Sequence, residues 1–493
     1  MITDLIHWRA NLTPQRLALW AAGRWYSYAE LNLRAIRLAN RLRAAGVGRG
    51  DRVGIVALNH IAHIDLLLAA PKLGFVFTPF NYRLSVEEHQ RLSDYVRPKF
   101  LFADARHQPL AQVTSCAWQP LAEYEDWLAA GSSSTPAAPS PNADDTQMIL
   151  FTGGSTGLPK GAQIPYRQVY ANCVNTVKGW ELLEGDCVVQ ATPCFHAAIN
   201  AFATPLFYLG GRVVLMPQFD AGEYLSLLVE HQATLMFMVP TMYQMLSADS
   251  RFDSADLSQV RWAISGGAPC PPTIRAAYAR RGLRFKQGYG MTEAGVNCFM
   301  MGLDEADRHP QSVGHPLPNT QAVIRRGDGT PCEVDEIGEL TLAGPQVCKG
   351  YFEREQEWAK VFRDGWLWTG DLARRDASGL HFIVGRSKEM FISGGENVYP
   401  AEVEAALYQC PDVAEAAVLG VANEKWGEVG LAAIALKAGS AGDAERIKAA
   451  LKTRLAGYKL PREYLFLPAL PKTGAGKVAK PEIKKLWEAR GKA

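Results

Sequence analysis

Met148-Ile149-Leu150-Phe151-Thr152-Gly153-Gly154-Ser155-Thr156-Gly157-Leu158-Pro159-Lys160-Gly161 is the stretch on which the reading of this chain turns. Its four leading apolar residues predict a short strand that runs directly into the richest glycine loop of the sequence. Glycines let backbone N–H groups approach an anion, the Ser155 and Thr156 hydroxyls add donors, and Lys160 adds a compact positive charge. That combination suits a polyphosphate. It differs from the G-x-x-x-x-G-K-[ST] phosphate loop, because Leu158-Pro159 separate Gly157 from Lys160 and Gly161 follows the lysine. Taken alone, a Gly/Ser/Thr run is also what a plain surface turn looks like.

Upstream, helical and strand patterns alternate. Leu31, Ala35, Leu38, Ala39 and Leu42 form one helical stripe within 28–45, closed by Gly46-Val47-Gly48-Arg49-Gly50. A buried strand is predicted over 51–58, a helix over 62–73 and a strand at 75–77. This alternation predicts an α/β architecture with a largely parallel sheet. Residues 129–146, rich in Ser, Pro and Ala, read as a flexible loop or short linker. After Phe382–Lys388 a smaller α+β unit is expected: helix 401–408, strands 415–421 and 431–437, helix 444–455, strand 464–467 and helix 481–490. The division predicted is residues 1–387 and 388–493.

Four further motifs follow the glycine loop in order: Gln287-Gly288-Tyr289-Gly290-Met291-Thr292-Glu293, Thr369-Gly370-Asp371, Gly385-Arg386 and Pro471-Lys472-Thr473-Gly474-Ala475-Gly476-Lys477. With these the chain closely resembles, over essentially its whole length, the adenylate-forming superfamily. Within it the likeness is to AMP-binding acyl-CoA synthetases, which include coumarate, feruloyl and fatty acyl-CoA ligases. The resemblance implies a large N-terminal α/β domain of several subdomains and a small mobile C-terminal α+β domain hinged at Lys388. It also implies a reaction: a carboxylate attacks the α-phosphorus of ATP to give acyl-AMP and pyrophosphate, and the thiol of coenzyme A then displaces AMP. Charge builds on phosphate oxygens, so cationic and N–H donors must meet it.

By the same resemblance, Thr152, Gly153, Gly154, Ser155, Thr156, Gly157 and Lys160 would hold the β- and γ-phosphates, and Thr292 the α-phosphate. Glu293 would help hold Mg²⁺, a hard ion that prefers oxygen ligands and bridging phosphates. Tyr289 offers adenine a flat ring. Gln287, Gly288 and Gly290 flank it, and Gly267 and Ala268, within Ser265-Gly266-Gly267-Ala268-Pro269, are the expected other adenine wall. Asp371 has the acceptors for both ribose hydroxyls, with Arg386 beside it as a second ribose or phosphate contact; either could instead be half of a structural ion pair. Lys477 is expected at the α-phosphate and substrate carboxylate during adenylation, and the Gly394-Gly395 face in the thioester step. His196 is placed beside the acyl carboxylate and the thiol route, as a gate or orienting group and not as a general base.

The family alignment draws the acyl pocket from Ala197, Ala198, Phe202, Met238, Gly266, Val296 and Asn297, a mostly apolar lining. Phe195-His196 stands where amino-acid-activating domains carry Phe-Asp for an ammonium, which argues against an amino acid. An aromatic acid and a medium-chain fatty acid are the candidates, with the polar Asn200 and Asn297 favouring the aromatic one. A carrier-protein thiol as acceptor and a non-catalytic nucleotide-binding protein are the alternative readings. Intact Lys160, Glu293, Asp371 and Lys477 disfavour the second.

The 52 Lys and Arg nearly balance 50 Asp and Glu, which disfavours a generic nucleic-acid binder. The balance is a cancellation, because residues 446–493 hold 13 Lys and Arg against three Asp and Glu. Such a basic end is either a solvated face or the place where ATP and coenzyme A phosphates are met. The most apolar run, 201–217, is broken by Pro205, Gly210, Gly211 and Arg212, so it predicts buried core and no membrane span. The first nine residues lack the pattern of a secretory signal. Nine singly scattered cysteines fit no zinc site or disulfide scaffold and point to buried thiols in a reducing cytoplasm. Oligomeric state is left open.

Overall fold

The computed structural model describes residues 3–110, 114–137, 140–153, 159–437, 439–440, 443–473 and 477–490. Two seven-stranded sheets carry the large part of the chain. One runs Phe285–Gln287, Trp262–Ser265, Leu235–Met238, Cys187–Gln190, Arg212–Leu215, Leu17–Ala21 and Arg24–Ser27, parallel except for its last hairpin. The other runs Gly350–Tyr351, Lys160–Pro165, Thr146–Thr152, Val76–Pro79, Arg52–Val56, Phe100–Ala103 and Ala117–Pro120, parallel from Thr146–Thr152 onward.

One core cluster unites apolar residues of both sheets with the helices between them, from Leu19 and Val213 through Leu66 and Leu67 to Phe77 and Leu150. All 13 residues of the helix Ile61–Leu73 are buried. A helix apolar on nearly every side has to be covered all round. Its polar members are paired: Asp65 accepts from the Nε and Nη2 of Arg34 and from the Tyr124 hydroxyl, and Lys72 donates to Asp4 and Asn32. The helix Tyr28–Ala44 turns its Leu31, Ala35, Leu38, Ala39 and Leu42 stripe inward and is started by a Ser27/Glu30 capping box. The stretch 201–217 folds as the helix Ala203–Leu209, a turn at left-handed Gly210 and the strand Arg212–Leu215. No helix among the described residues is long and apolar enough to cross a membrane.

An antiparallel sheet of Gln321–Arg325, Gly338–Ala343, Trp366–Arg375, Phe362–Arg363 and His381–Arg386 follows. The last five-stranded sheet, built around the long pair Val413–Asn423 and Gly427–Leu436, packs against the helices Pro400–Leu407 and Ala444–Lys452 on one face and Lys480–Arg490 on the other. The α/β class and the smaller α+β unit therefore stand. Element ends shift by a few residues; the helix expected to reach 455 stops at Lys452. The sheet over 321–386 was not anticipated, because its strands are short or bulged and carry no clean alternation.

Candidate active site

The strand Thr146–Thr152 pairs with Lys160–Pro165, so Thr152 and Lys160 face each other across the two ends of the glycine loop. Gly154, Ser155, Thr156 and Gly157 lie outside the described residues. A Cβ on Gly153 would meet nothing within 4 Å, so its place is not demanded by packing. Lys160 Nζ lies 3.0 Å from Glu357 Oε2 and 4.8 Å from the Tyr351 ring centroid. That hydrogen bond also holds the Glu357 carboxyl below its ordinary range.

Glu293 sits in the short 3-10 turn Thr292–Ala294, only 7% exposed. Its Oε1 accepts from the Tyr351 hydroxyl at 2.9 Å and from Thr152 Oγ1 at 3.3 Å. Gln168 Nε2 donates to the Thr292 carbonyl at 2.9 Å, which fixes the turn from behind. No group of three or more His, Cys, Asp or Glu side chains among the described residues gathers as a metal cage. One held carboxylate beside a phosphate loop fits Mg²⁺, which takes one or two carboxylates and completes its shell with phosphate and water oxygens.

Asp371 and Arg386 stand opposite each other on neighbouring strands, with Arg386 Nε 2.9 Å from Asp371 Oδ1. Tyr289 donates its hydroxyl to Asp371 Oδ2 at 2.6 Å, and burial followed by this carboxylate raises the phenol well above its usual pKa. Lys477, exposed on the C-terminal unit, lies within electrostatic reach of this pair. Partial desolvation and then the Arg386 guanidinium lower its pKa, against the pull of Asp371 and Glu389. Its charge reaches His196, which burial first, then Lys477 and Arg83, bring down to about 4, so the imidazole is neutral at ordinary pH. The structure thus brings together Lys477, Arg386, Asp371, Tyr289 and His196, residues spread over nearly 300 positions of chain.

Other expected contacts turn out differently. The Gln287 amide is spent on backbone: Nε2 donates to the carbonyls of Ser265, Ala268 and Gly288, and Oε1 accepts from Cys270 N. It braces the Ser265–Cys270 turn, where Gly267 has φ +79°, against Gly288. Gly290 is required by backbone crowding, since a Cβ there would sit 2.1 Å from the Val296 carbonyl oxygen. Gly394, at φ +62°, packs against Trp426, and Gly395 beside it is open.

The acyl lining is corrected more substantially. Met238 faces the far side of its strand, in the cluster with Met236 and Tyr243, while its neighbour Phe237 turns toward Gly266 and Phe202. Phe202 is wholly buried among Trp180, Phe237 and Trp262. Asn297 is likewise spent, donating to Thr176 Oγ1 and the Ala201 carbonyl. Ala198 is half-buried beside Ala197. A cavity beside Thr292 is lined by Ala197 and Val296, as expected, together with Leu150, Gln168, Asn172 and Asn200. The sequence reading missed Tyr351, Glu357, Phe237, Gln168 and Asn172. Tyr351 and Gln168 flank motifs in space only.

A family model described as AMP-binding enzyme matches residues 6–352, and one described as AMP-binding enzyme C-terminal domain matches 402–477. The chain belongs to the AMP-binding, adenylate-forming enzymes. It is 40% identical to a feruloyl-CoA synthase of Amycolatopsis sp over 97% of each chain, and 36% identical to an indoleacetate–CoA ligase of Aromatoleum aromaticum over 98% of each. Among solved structures it superposes on the o-succinylbenzoate CoA synthetase of Bacillus subtilis in complex with its acyl-adenylate intermediate, with a TM-score of 0.89 at 30% identity over 98% of both chains. That enzyme has also been solved with ATP and a magnesium ion.

Proposed function

We propose that this AMP-binding enzyme is an acid–thiol ligase that converts an aromatic carboxylic acid, ATP and coenzyme A into the aryl-CoA thioester, AMP and pyrophosphate. The observation that carries the site assignment is the convergence of Lys477 with Arg386, Asp371, Tyr289 and a neutral His196. Family relatives acting on aryl acids support the reaction and the substrate class.

In the first step a carboxylate oxygen attacks the α-phosphorus and the bond to the β-phosphate bridging oxygen breaks. Thr152 and Lys160, at the two ends of the glycine loop, bind the departing phosphates, and Asp371 accepts the ribose hydroxyls. Lys477 neutralises charge gathering between carboxylate and α-phosphate. Glu293, held by Tyr351 and Thr152, is the residue that would bind Mg²⁺, and the ion supplies charge neutralisation on the phosphates. His196, neutral, orients the acyl carboxylate without competing as a cation. In the second step the thiol sulfur attacks the acyl carbonyl, the bond to AMP breaks and the thiol proton is released to solvent. For this Lys477 must withdraw, by rotation of residues 388–493 about Lys388, bringing the Gly394-Gly395 face to the cleft.

We place the enzyme in the cytoplasm, since all nine cysteines are unpaired thiols. The experiment is an assay with ATP, Mg²⁺, coenzyme A and a panel of aryl and C6–C16 acids. AMP and aryl-CoA in equal amounts are expected. Acid-dependent pyrophosphate release without consumption of coenzyme A would point to a carrier-protein thiol instead.

A further inference from the structure

Gln168 and Asn172 stand one turn apart on the helix Tyr166–Gly179, 3% and 2% exposed, and both line the cavity beside Thr292. Each amide has one end committed. Gln168 Nε2 donates to the Thr292 carbonyl at 2.9 Å, and Asn172 Nδ2 donates to the Asn200 carbonyl at 2.6 Å. Because both partners are carbonyls, the NH₂ groups must point at them, which fixes the orientation of the amides. Their oxygens, Gln168 Oε1 and Asn172 Oδ1, are fully enclosed and accept no hydrogen bond. Two buried acceptors without donors are costly unless an occupant supplies the hydrogens.

The cavity has room for about one water-sized group. The rest of its wall is mostly apolar, from Leu150, Ile164, Val169 and Val296, and it includes Ala197 and Thr292, two residues expected at the acyl and α-phosphate positions. An alkyl chain would leave both oxygens unsatisfied. A methoxy oxygen would add a third acceptor. A hydroxyl or N–H group would satisfy one, and an amino group both.

We propose that Gln168 and Asn172 are specificity-determining residues, whose side-chain oxygens accept a hydrogen bond from a hydroxyl or N–H donor on the ring of the arylcarboxylate. This rests on the aryl-CoA ligase reading and adds the recognition of one ring substituent. The discrimination arises because the acid lacking the donor leaves the enzyme's own acceptors stranded, a penalty larger than the loss of a solvent-exposed contact.

The test compares kcat/KM for 4-hydroxycinnamate, cinnamate and 4-methoxycinnamate, with the matching benzoates and decanoate, in the wild-type enzyme and in Gln168→Leu and Asn172→Leu. In each scaffold series that is turned over, the wild type is expected to favour the hydroxy acid over its unsubstituted partner by tenfold or more, with the methoxy acid last. Each variant is expected to shrink that ratio to within about threefold, the fold-change of losing one neutral hydrogen bond being of order tenfold. The ratio is insensitive to a general loss of activity through the Thr292 turn, and thermal melting checks that each variant is folded. Aryl acids turned over with no hydroxyl preference, or with a preference unchanged in both variants, would overturn the inference and leave the aryl-CoA ligase reading intact. Turnover of decanoate alone would overturn the aryl reading and this inference with it.

Discussion

Arg386 Nε approaches Asp371 Oδ1 to 2.9 Å while the Tyr289 hydroxyl occupies Oδ2 at 2.6 Å, so the carboxylate expected to receive ribose is held from both sides. An ionised carboxylate has about four lone-pair positions, and these two contacts leave capacity for two ribose hydroxyls. Hydrogen bonds to a charged group are worth roughly 1.5–3 kcal/mol each, so Asp371→Ala is expected to raise KM for ATP by about 10- to 100-fold. Tyr289→Phe, which only frees the carboxylate's orientation, is expected to change it by a few-fold. Steady-state kinetics with ATP varied at saturating acid read both.

Lys160 in this structure is engaged by Glu357, a residue outside every recognised motif. Phosphate must draw the lysine away or share it. The pair is about one-third exposed on the Glu357 side, and such ion pairs contribute roughly 0–1 kcal/mol, so Glu357→Gln is expected to lower KM for ATP by no more than about fivefold. Lys160→Ala is expected to raise it. An ATP titration of both variants at low and moderate salt tests this, with the Glu357 effect shrinking as salt rises.

Lys477→Ala is expected to lower acid-dependent ATP–pyrophosphate exchange by about 10²- to 10³-fold, the usual cost of removing one preorganised donor from a developing charge. Thioester formation from supplied aryl-AMP and coenzyme A is expected to stay within a few-fold of wild type. Equal loss of both half-reactions would contradict a role confined to the first step.

Burial is the leading reason that His63 is brought down to about 3 and His89, His196 and His381 to about 4. In an unfolded chain each would titrate near about 6.5. Below that pH the unfolded state binds protons the folded state refuses, so stability is full above about 6.5 and falls as pH drops toward 4. Thermal melts are expected to show a lower Tm at pH 5 than at pH 7.5. A higher Tm at pH 5 would mean these histidines are protonated in the fold.

The groups expected on the polyphosphate and ribose side can be named from the sequence because that chemistry demands particular groups in a short span: Lys160 after glycines, Glu293 after Tyr289, Asp371 after Gly370. Those on the acyl side cannot. Leu235–Met238 is a central parallel strand, apolar on both faces, so nothing in the sequence says whether Phe237 or Met238 meets the pocket. Asn297 looked like pocket polarity and instead ties helix to loop through Thr176 and Ala201. Gln168 and Asn172 belong to none of the sequence motifs. Only the carbonyls of Thr292 and Asn200, brought near by tertiary folding, reveal which ends of their amides are spent.

The formation of an acyl-adenylate is tested most directly with an aromatic acid carrying ¹⁸O in its carboxylate. Attack of the carboxylate on the α-phosphorus leaves one labelled oxygen in the bridge of the adenylate, and thiol attack on the acyl carbon then expels it with AMP. The expected result is AMP heavier by one ¹⁸O and unlabelled pyrophosphate. Label in inorganic phosphate accompanied by ADP, or AMP without label, would contradict it.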